Sequence, residues 1–371
     1  MADPIAAIIM VGPAGPTPLE QLLNRALRAA AGDLIDTLRS ANIAPIIVAS
    51  PGGDWLSTLP GVVRDDDPPG APFHFGQRLA GLITRYRLEG VIYFGGGSAP
   101  LLDADTARAL ADALDEGRAH ALALTNNVHS SDWVGFTQAQ RALPTISALD
   151  RDNSLAWLLE NQAGYTVRAL SAGIDIDTPT DLAILGLHPA LKPRLAAVLG
   201  SEDAAPIRRI PLAAVIDVAA RAESHLALIG RVAPLAWHAL SQATRIWIRV
   251  FSEERGMVAS GRVARGEARS LLGEIMEHGG PEALFDALAN LVDAAIIDSR
   301  VLMAHHGRWP DPADRFASDT FDVDAIDDPW LRAFTAAAAG ARIPVVLGGH
   351  GLVSGGLYTL AEILEGWRAR C

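Results

Sequence analysis

Near the middle of the chain, residues 175–182 read Asp-Ile-Asp-Thr-Pro-Thr-Asp-Leu. The run before them, 165–170, alternates like a β-strand, in which successive side chains point to opposite faces. If the extended geometry continues, Asp175 and Asp177 share one face, where two carboxylates repel each other unless a cation, a shared proton or water lies between them. Mg²⁺ is the ordinary cation for such oxygen ligands. The stretch therefore predicts a metal site beside a strand.

The same stretch also predicts the start of a helix. Thr178 is a typical N-cap, Pro179 fits the first helical position, and Asp181 lies near the positive end of the helix dipole. A well-capped helix with solvated acids is therefore the alternative to a metal site, and the local sequence does not decide between the two.

Composition limits the classes of protein to consider. The 371 residues suffice for two domains, and half of them are hydrophobic without any run of membrane-spanning length. Without a signal-like N-terminus, the sequence predicts a soluble cytoplasmic protein with no membrane partner. A net charge of −12 argues against a nucleic-acid partner and favours a small-molecule enzyme, while a homodimer stays open. The single cysteine, Cys371, excludes intrachain disulfides and thiolate metal clusters.

Lysine is almost absent from the chain, since Lys192 is its only lysine. Phosphate groups must therefore be bound by arginine, backbone amides, helix N-termini or a metal ion. A Walker-type phosphate loop is excluded, because its lysine is missing.

The first half of the chain alternates strands and helices. We predict strands at 5–11, 44–49, 90–94 and 120–124, and helices at 18–40, 76–86 and 104–116. This pattern predicts a parallel sheet between two helical layers, in which function gathers at the carboxyl ends of the strands. The turns at Gly12, Gly95, Asn126 and Asp175 are the candidates for that rim.

The alternation lapses around residues 188–211, which are rich in proline and glycine. We therefore expect a first domain at 1–190, a linker at 191–210 and a second α/β domain at 211–371. In the second domain we predict strands at 225–229, 245–251 and 343–347, with helices at about 212–222, 234–243, 267–278, 281–293 and 357–368.

Up to about residue 187, the order of elements and three motifs resemble a known family. An acidic-glycine loop at 65–70 leads through a helix to the strand at 91–94. Residues 98–102, Ser-Ala-Pro-Leu-Leu, match the family's Asp-x-Pro-Leu-Leu, and residues 175–182 match its Asp-x-Asp-Thr-Pro-x-Asp-Leu. The chain is thus similar to the nucleotidyltransferase branch of the GT-A fold, in particular to enzymes that guanylylate 2-phospho-L-lactate or the molybdenum cofactor.

The resemblance implies a GT-A, nucleotide-diphospho-sugar transferase-like, three-layer α/β/α domain and a Mg²⁺-dependent enzyme. Such an enzyme transfers a nucleotidyl group, guanylyl from GTP, to a phosphorylated small acid or cofactor precursor, and pyrophosphate leaves. Asp175 and Asp177 would hold Mg²⁺, and Ser98 would lie at the metal's edge. Asp66 or the Gly70 loop would approach the base or ribose.

Two departures from the family pattern support an alternative. Ser98 stands where the family has its central metal-binding Asp, and it brings no charge. The first loop contains Gly12 and Gly15 but no basic residue, and its prolines lack amide donors, so Arg25 and Arg28 on the following helix would have to substitute. The alternative is a nucleotide- or sugar-phosphate-binding protein that has lost transfer activity.

Two polar loops are further candidates for ligand contacts. One loop follows a predicted strand and contains Asn126, His129 and Asp132. Its side chains could hydrogen-bond to a sugar, base or carboxylate, or they could cap the turn. The sequence around Asp152 mainly predicts a helix cap. The glycine-rich loop at 348–356 could bind an anion beside His350 and Ser354, or it could be a tight turn that needs glycine for positive φ.

A third hypothesis places the chemistry in the C-terminal half. The residues Asp298, His305, His306, Asp319 and His350 include acid–base pairs and potential ligands of a transition metal. Their spacing matches no zinc signature.

Overall fold

The computed structural model describes residues 4–52, 54–68, 70, 72–170 and 173–368. The chain forms two compact units. Unit 1 comprises the chain up to Ala14, Asn24–Asp175 and Lys192–Leu195, and unit 2 comprises Gly15–Leu23, Ile176–Leu191 and the chain from Ala196 onward. The backbone therefore passes from one unit to the other five times.

Unit 1 is built on seven strands: β1 (Ala6–Met10), β2 (Ile46–Ser50), β3 (Val63–Asp66), β4 (Gly90–Gly95), β5 (Leu122–Thr125), β6 (Trp133–Thr137) and β7 (Thr166–Ala169). They form one sheet in the order β3-β2-β1-β4-β6-β5-β7. β6 is antiparallel to both its neighbours, whereas the other pairs are parallel. The start of β6 consequently lies at the same edge as the carboxyl ends of β4 and β5.

Helices cover both faces of this sheet: α1 (Pro18–Ser40), α2 (Phe75–Arg85), α3 (Ala104–Glu116), α4 (Ala139–Ile146) and α5 (Leu155–Gln162). Strand β1 is buried throughout, with Ile8 in the core beneath α2, α4 and α5. Its neighbour Ile9 lies in the opposite core, beneath α1 and α3. A strand covered on both faces can be apolar without alternation. The predicted three-layer α/β/α architecture is confirmed.

Unit 2 contains a second sheet of four parallel strands: β8 (His225–Gly230), β9 (Trp247–Ser252), β10 (Ala294–Asp298) and β11 (Val345–Gly348). Their order is β11-β10-β8-β9. The helices of unit 2 are α6 (Pro179–Gly186), α8 (Ala205–Arg208), α9 (Leu212–Ala220), α10 (Pro234–Ala243), α11 (Leu271–Ala289), α12 (Ser299–His305), α13 (Pro312–Asp319), α14 (Pro329–Ala339) and α15 (Gly355–Arg368). A second α/β region is therefore confirmed.

Helix α6, which follows the central Asp-rich stretch, packs within unit 2. The hydroxyl of Thr180, a fully buried side chain, donates to the carbonyl of Leu347 in β11 at 2.6 Å. Residues 191–210, which the sequence marks as a linker, contain α7 (Pro193–Leu199) and α8.

Several predicted elements need correction. Strand geometry does not continue to Asp175, because β7 loses its partner: Leu170 donates its amide to Thr125, the last residue of β5. Asp65 and Asp66 belong to strand β3 rather than to a loop. Strands β6 and β10 are also additional to the prediction, whereas α1 begins and ends where the sequence predicts it.

Among the described helices, none combines the length and apolar character that crossing a lipid bilayer requires.

Replacing Thr180 by valine tests the attachment of α6 to β11. The change keeps the shape but leaves the buried carbonyl of Leu347 without its donor, which costs about 1–3 kcal/mol. We expect urea denaturation to show that loss in the free energy of unfolding. Thr84→Val, at an exposed site in α2, is the matched control and should change it little. An unchanged stability of Thr180→Val would contradict the assigned role.

Candidate functional site

Three of the four predicted rim positions, together with Asp132, lie at one edge of the unit 1 sheet. Gly12 follows β1, Gly95 ends β4, and Asn126 follows β5. Asp132 precedes β6, which starts at this same edge because it runs antiparallel to β4 and β5. The topology thus brings these residues to the end of the sheet where α/β proteins bind their ligands.

The buried hydroxyl of Tyr93 lies at this rim, 3.7 Å from the position of a Cβ at Gly95. It donates to Oδ2 of Asp152 at 2.8 Å. Burial raises the pKa of Tyr93 well above its usual value, and the negative charges of Asp152, Asp175 and Asp132 raise it further. A Cβ at Gly95 would lie 3.8 Å from Oδ2 of Asp152, so this carboxylate reaches the carboxyl end of β4. One carboxylate therefore contacts the neutral phenol, and the charges of two more act on it.

Hydrogen bonds tie the elements of the rim together. The amide side chain of Asn126 donates to the Asp132 carboxylate, while the Asp132 backbone amide donates to Oδ1 of Asn126 at 3.1 Å. The hydroxyl of Ser131 lies 3.3 Å from the Asp152 carbonyl and 3.1 Å from that of Asn153. The segment that carries Asp132 is consequently fixed to the segment that carries Asp152.

Asp152 is the functional candidate that the sequence interpretation missed, since it resembles an ordinary helix cap. The usable signal was Tyr93, because a tyrosine in an otherwise apolar buried strand needs a hydrogen-bond partner. Ser98 is buried beside this rim, and its hydroxyl donates to the Gly95 carbonyl at 2.8 Å. That hydroxyl stabilises its own turn and carries no charge.

The residues predicted to contact nucleotide near the N-terminus are dispersed. The carbonyl of Gly12 accepts from the Asn24 side chain at 3.1 Å. Gly15 belongs to unit 2, where a Cβ would collide with Glu20. Arg25 is exposed on α1 within unit 1, together with Gly12.

In the acidic loop the buried carboxylate is that of Asp65, not Asp66. Asp65 accepts from Arg78 at 2.9 Å, Arg85 at 2.6 Å and Tyr86 at 2.8 Å. Burial opposes its charge, but these hydrogen bonds outweigh burial and lower its pKa. Asp66 is exposed and pairs with Arg64 at 2.7 Å. Asp65 therefore fixes the start of the loop to α2 and is the structural acid.

The remaining polar candidates of unit 1 are more exposed. His129 is exposed, and its backbone amide donates to Oδ1 of Asn127 at 3.0 Å in a local turn. Gly70 has a φ of +73°, which glycine adopts without strain.

The second half of the Asp-rich stretch forms a capping box at the start of α6. Oδ2 of Asp181 accepts from the amides of Asp177 and Thr178 at 3.1 and 2.8 Å, and from the Thr178 hydroxyl at 2.8 Å. Burial raises the pKa of Asp181 to about 7, and the charge of Asp177 adds to this. Asp175 belongs to unit 1 and Asp177 to unit 2.

The raised pKa of Asp181 predicts a pH-dependent stability. The folded state binds this proton more tightly than the unfolded chain does, so its stabilising contribution is complete below about pH 4 and is lost as the pH rises through 7. At about 1.4 kcal/mol per pKa unit the loss is about 4 kcal/mol. Asp181→Asn keeps the acceptor oxygen and removes the ionisation. Relative to wild type it should therefore gain stability between pH 4 and pH 8.

Chemical denaturation at pH 4, 5, 6, 7 and 8 measures this difference. The matched control is Asp217→Asn, an exposed site on α9 that should track wild type at every pH. Parallel curves for wild type and Asp181→Asn would show that Asp181 does not titrate in this range.

The glycines of the 348–356 loop are explained by close packing within unit 2. None of them has a positive φ, so the expected conformational reason is wrong. A Cβ at Gly349 would lie 3.3 Å from the Thr178 methyl, and one at Gly351 would lie 3.0 Å from Oδ1 of Asp181. The Ser354 hydroxyl donates to the His350 carbonyl at 2.8 Å. The glycines and Ser354 therefore serve the packing of α6 and the local turn.

His305 and His306 lie beside Glu277, and the three side chains could in principle hold a metal ion. Nε2 of His305 is 3.2 Å and Nδ1 of His306 is 3.9 Å from the Glu277 carboxylate. However, Nδ1 of His305 accepts the Ser270 amide at 3.0 Å, so the proton of the neutral ring resides on Nε2. A protonated Nε2 cannot ligate a metal. The hydrogen bonding therefore favours a neutral His305, whose Nε2–H faces the Glu277 carboxylate, over a metal centre.

The two acids of the third hypothesis are each paired with an arginine. Asp319 binds Arg300 at 2.5 and 2.6 Å, and both side chains are buried. Asp298 binds Arg231 at 2.6 and 3.0 Å. Asp298 and His350 lie close enough to shift each other's pKa. Asp298, Asp319 and His350 are therefore coupled to one another, directly or through Arg300, whereas His305 and His306 lie beside Glu277.

Comparison with known proteins finds similarity in solved structures only. No family model matches the chain, and no curated protein does. A cytidylyltransferase from Leptospira borgpetersenii serovar Hardjo-bovis is 16% identical over 53% of this chain and 93% of its own, with a TM-score of 0.36. CMP:2-keto-3-deoxy-manno-octonic acid synthetase complexed with CTP is 13% identical over 48% and 94%, with a TM-score of 0.33. The protein Rv0371C of Mycobacterium tuberculosis H37Rv, in complex with manganese, is 20% identical over 48% and 96%, with a TM-score of 0.32.

Proposed function

We propose that unit 1 is a Mg²⁺-dependent nucleotidyltransferase that transfers the guanylyl group of GTP to a phosphorylated small acid or cofactor precursor. The observation that carries the proposal is the Asp152 carboxylate on the Tyr93 hydroxyl beside Gly95, with the charges of Asp132 and Asp175 acting on the same hydroxyl. The reaction class is inferred from the resemblance of residues 98–102 and 175–182 to the nucleotidyltransferase motifs.

The donor set of this cluster suits Mg²⁺. This ion prefers oxygen ligands and is usually bound through one or two carboxylates together with substrate phosphates. Asp175 and Asp152 are the residues proposed to hold it, so Asp152 provides a carboxylate that Ser98 does not. The assignment of Asp177 as a further ligand stays a prediction. When bound, the ion would neutralise charge on the phosphate oxygens.

The protein's own residues position the two substrates in this proposal. Arg25 and the amides near Gly12 are the groups assigned to the triphosphate, in a chain with a single lysine. Asn126 and His129 are assigned to the base or ribose. An oxygen of the acceptor phosphate attacks the α-phosphorus of GTP, and the bond to the pyrophosphate oxygen breaks, so pyrophosphate leaves.

Pyrophosphate release tests the proposal directly. The purified full chain is incubated with Mg²⁺, each nucleoside triphosphate in turn and a panel of phosphorylated hydroxy acids. We expect release with GTP and an acceptor together, and none with either alone. Release of pyrophosphate with another nucleotide would show a different base preference. No release with any pair of nucleotide and acceptor would contradict the proposed transfer activity.

Asp152→Asn tests the carboxylate that the sequence interpretation missed. It keeps the acceptor for the Tyr93 hydroxyl but removes the charge, and we expect kcat to fall by about 100-fold or more, since several kcal/mol of charge stabilisation depend on it. Asp105→Asn, at an exposed site on α3, is the control and should retain full activity. Equal activity of both variants would exclude Asp152 from the site.

A second candidate function is nucleotide binding without transfer. Ser98, whose hydroxyl is engaged by the Gly95 carbonyl, favours it, because no carboxylate stands at this position. Thermal unfolding with GTP, with and without Mg²⁺, distinguishes the two functions. Stabilisation that is independent of Mg²⁺, combined with no pyrophosphate release, would support binding alone.

A further inference from the structure

The sheet of unit 2 has its own point at which the strand order reverses. From β8 the chain proceeds to β9 on one side, and it then returns to β10 and β11 on the other side of β8. The connections after β8 and β10 therefore diverge. In open parallel sheets, ligands bind at the carboxyl ends of the strands at such a place.

A preformed pair of side chains occupies this position. Arg231 directly follows β8, and its Nε and Nη2 donate to the Asp298 carboxylate at the end of β10 at 2.6 and 3.0 Å. Asp298 is fully buried and also accepts the Arg231 amide at 3.3 Å. Gly230 has a φ of +109°, and a Cβ there would lie 2.5 Å from that of Asp298. The backbone is thus adapted to seat this pair.

The two outer strands contribute one polar side chain each. Arg255 follows β9, and its Nη1 donates to the Val232 carbonyl at 3.0 Å, just beyond the end of β8. His350 follows β11 and is half-buried. Burial and the positive charges of Arg231 and Arg255 lower the pKa of His350 to about 4, against the opposing charge of Asp298. A neutral imidazole therefore lies among these guanidinium groups at neutral pH.

The charges of the cluster do not balance. Arg231 is neutralised by Asp298, and nearby Arg300 is neutralised by the buried Asp319. Within the described part of the chain, Arg255 forms no ion pair with a carboxylate, and its side chain is exposed. Among Arg231, Arg255, Arg300, Asp298 and Asp319 the excess is one positive charge, beside an imidazole that can donate one hydrogen bond, and the nearby Glu253 binds the Ser270 hydroxyl and the Leu271 amide. Such a set suits a singly or doubly charged oxyanion.

We propose that the carboxyl ends of β8, β9, β10 and β11 form a second ligand site, which binds the phosphate or carboxylate group of a small molecule between Arg255, Arg231 and His350. This site is separate from the nucleotidyl-transfer site proposed for unit 1 and does not depend on it. Arg255 supplies the charge, Arg231 is held rigid by Asp298, and His350 donates a hydrogen bond.

Calorimetric titration of the full chain with inorganic phosphate at pH 7, and separately with acetate, tests the site. We expect wild type to bind one equivalent of one of these anions, and Arg255→Ala to weaken binding by about tenfold or more, as loss of a charge-assisted hydrogen bond predicts. Tighter binding of phosphate or of acetate identifies the ligand's anionic group. Arg249→Ala is the matched control, since Arg249 is exposed on β9, the strand that Arg255 follows, and donates to the Leu291 carbonyl.

A residue-level readout locates the bound anion. Diethyl pyrocarbonate acylates neutral imidazole, and mass spectrometry reports the modification of each histidine. The anion should protect His350, while His129, exposed in unit 1, should react equally with and without it. No binding of either anion in the millimolar range, equal affinity of wild type and Arg255→Ala, or an unprotected His350 would each overturn the proposal. None of these results depends on pyrophosphate release.

Discussion

Three hydrogen bonds to one buried oxygen, Oδ2 of Asp181, hold the segment on which the packing of unit 2 depends. A buried carboxyl is costly unless its polar atoms are satisfied, and only Oδ2 of Asp181 is, since Oδ1 has no hydrogen-bond partner among the described residues. Once α6 starts there, Thr180 reaches the Leu347 carbonyl in β11, and the glycine-rich loop after β11 is pressed against Thr178 and Asp181. One helix cap therefore determines the conformation of segments that are far apart in sequence.

In unit 1 it is the buried hydroxyl of Tyr93 that must be hydrogen-bonded. A phenol buried in an apolar strand needs a partner, and Asp152 provides it from a segment 59 residues away. That requirement draws the Asp152 segment to the end of β4, where Asp132 arrives through the antiparallel strand β6. Asp152, one of the two carboxylates that we assign to metal binding, is thus positioned by a hydrogen bond whose first role is structural.

Helices and strands could be predicted from the sequence where their own residues form a clear hydrophobic pattern. Helix α1 and the buried strand β1 are visible as long periodic or continuous apolar runs. The sequence of strand β3, Val-Arg-Asp-Asp, predicts a loop instead, because an edge strand with charged side chains lacks an apolar pattern. Strand β10, Ala-Ala-Ile-Ile-Asp, directly follows a helical region and carries no alternation of its own.

The candidate site was predictable in part for the same reason. Gly12, Gly95 and Asn126 follow predicted parallel strands and could be placed at one edge, whereas Asp132 reaches that edge through β6, which the sequence does not predict. The role of Asp152 depends on a tertiary hydrogen bond, which has no signature in the residues around it. The glycines near His350 suggested a ligand, whereas a helix distant in sequence is what requires them.

The five crossings of the backbone between the units have a practical consequence for dissecting the protein. A chain cut anywhere between residues 190 and 211 would carry α6 away with the N-terminal fragment, although α6 packs in the C-terminal unit. The C-terminal fragment would then expose the apolar surface of β11 and leave the Leu347 carbonyl unsatisfied. Neither half can be expressed as a faithful copy of its unit by a single truncation, and complementation by co-expressed fragments is the form in which the two halves could be studied.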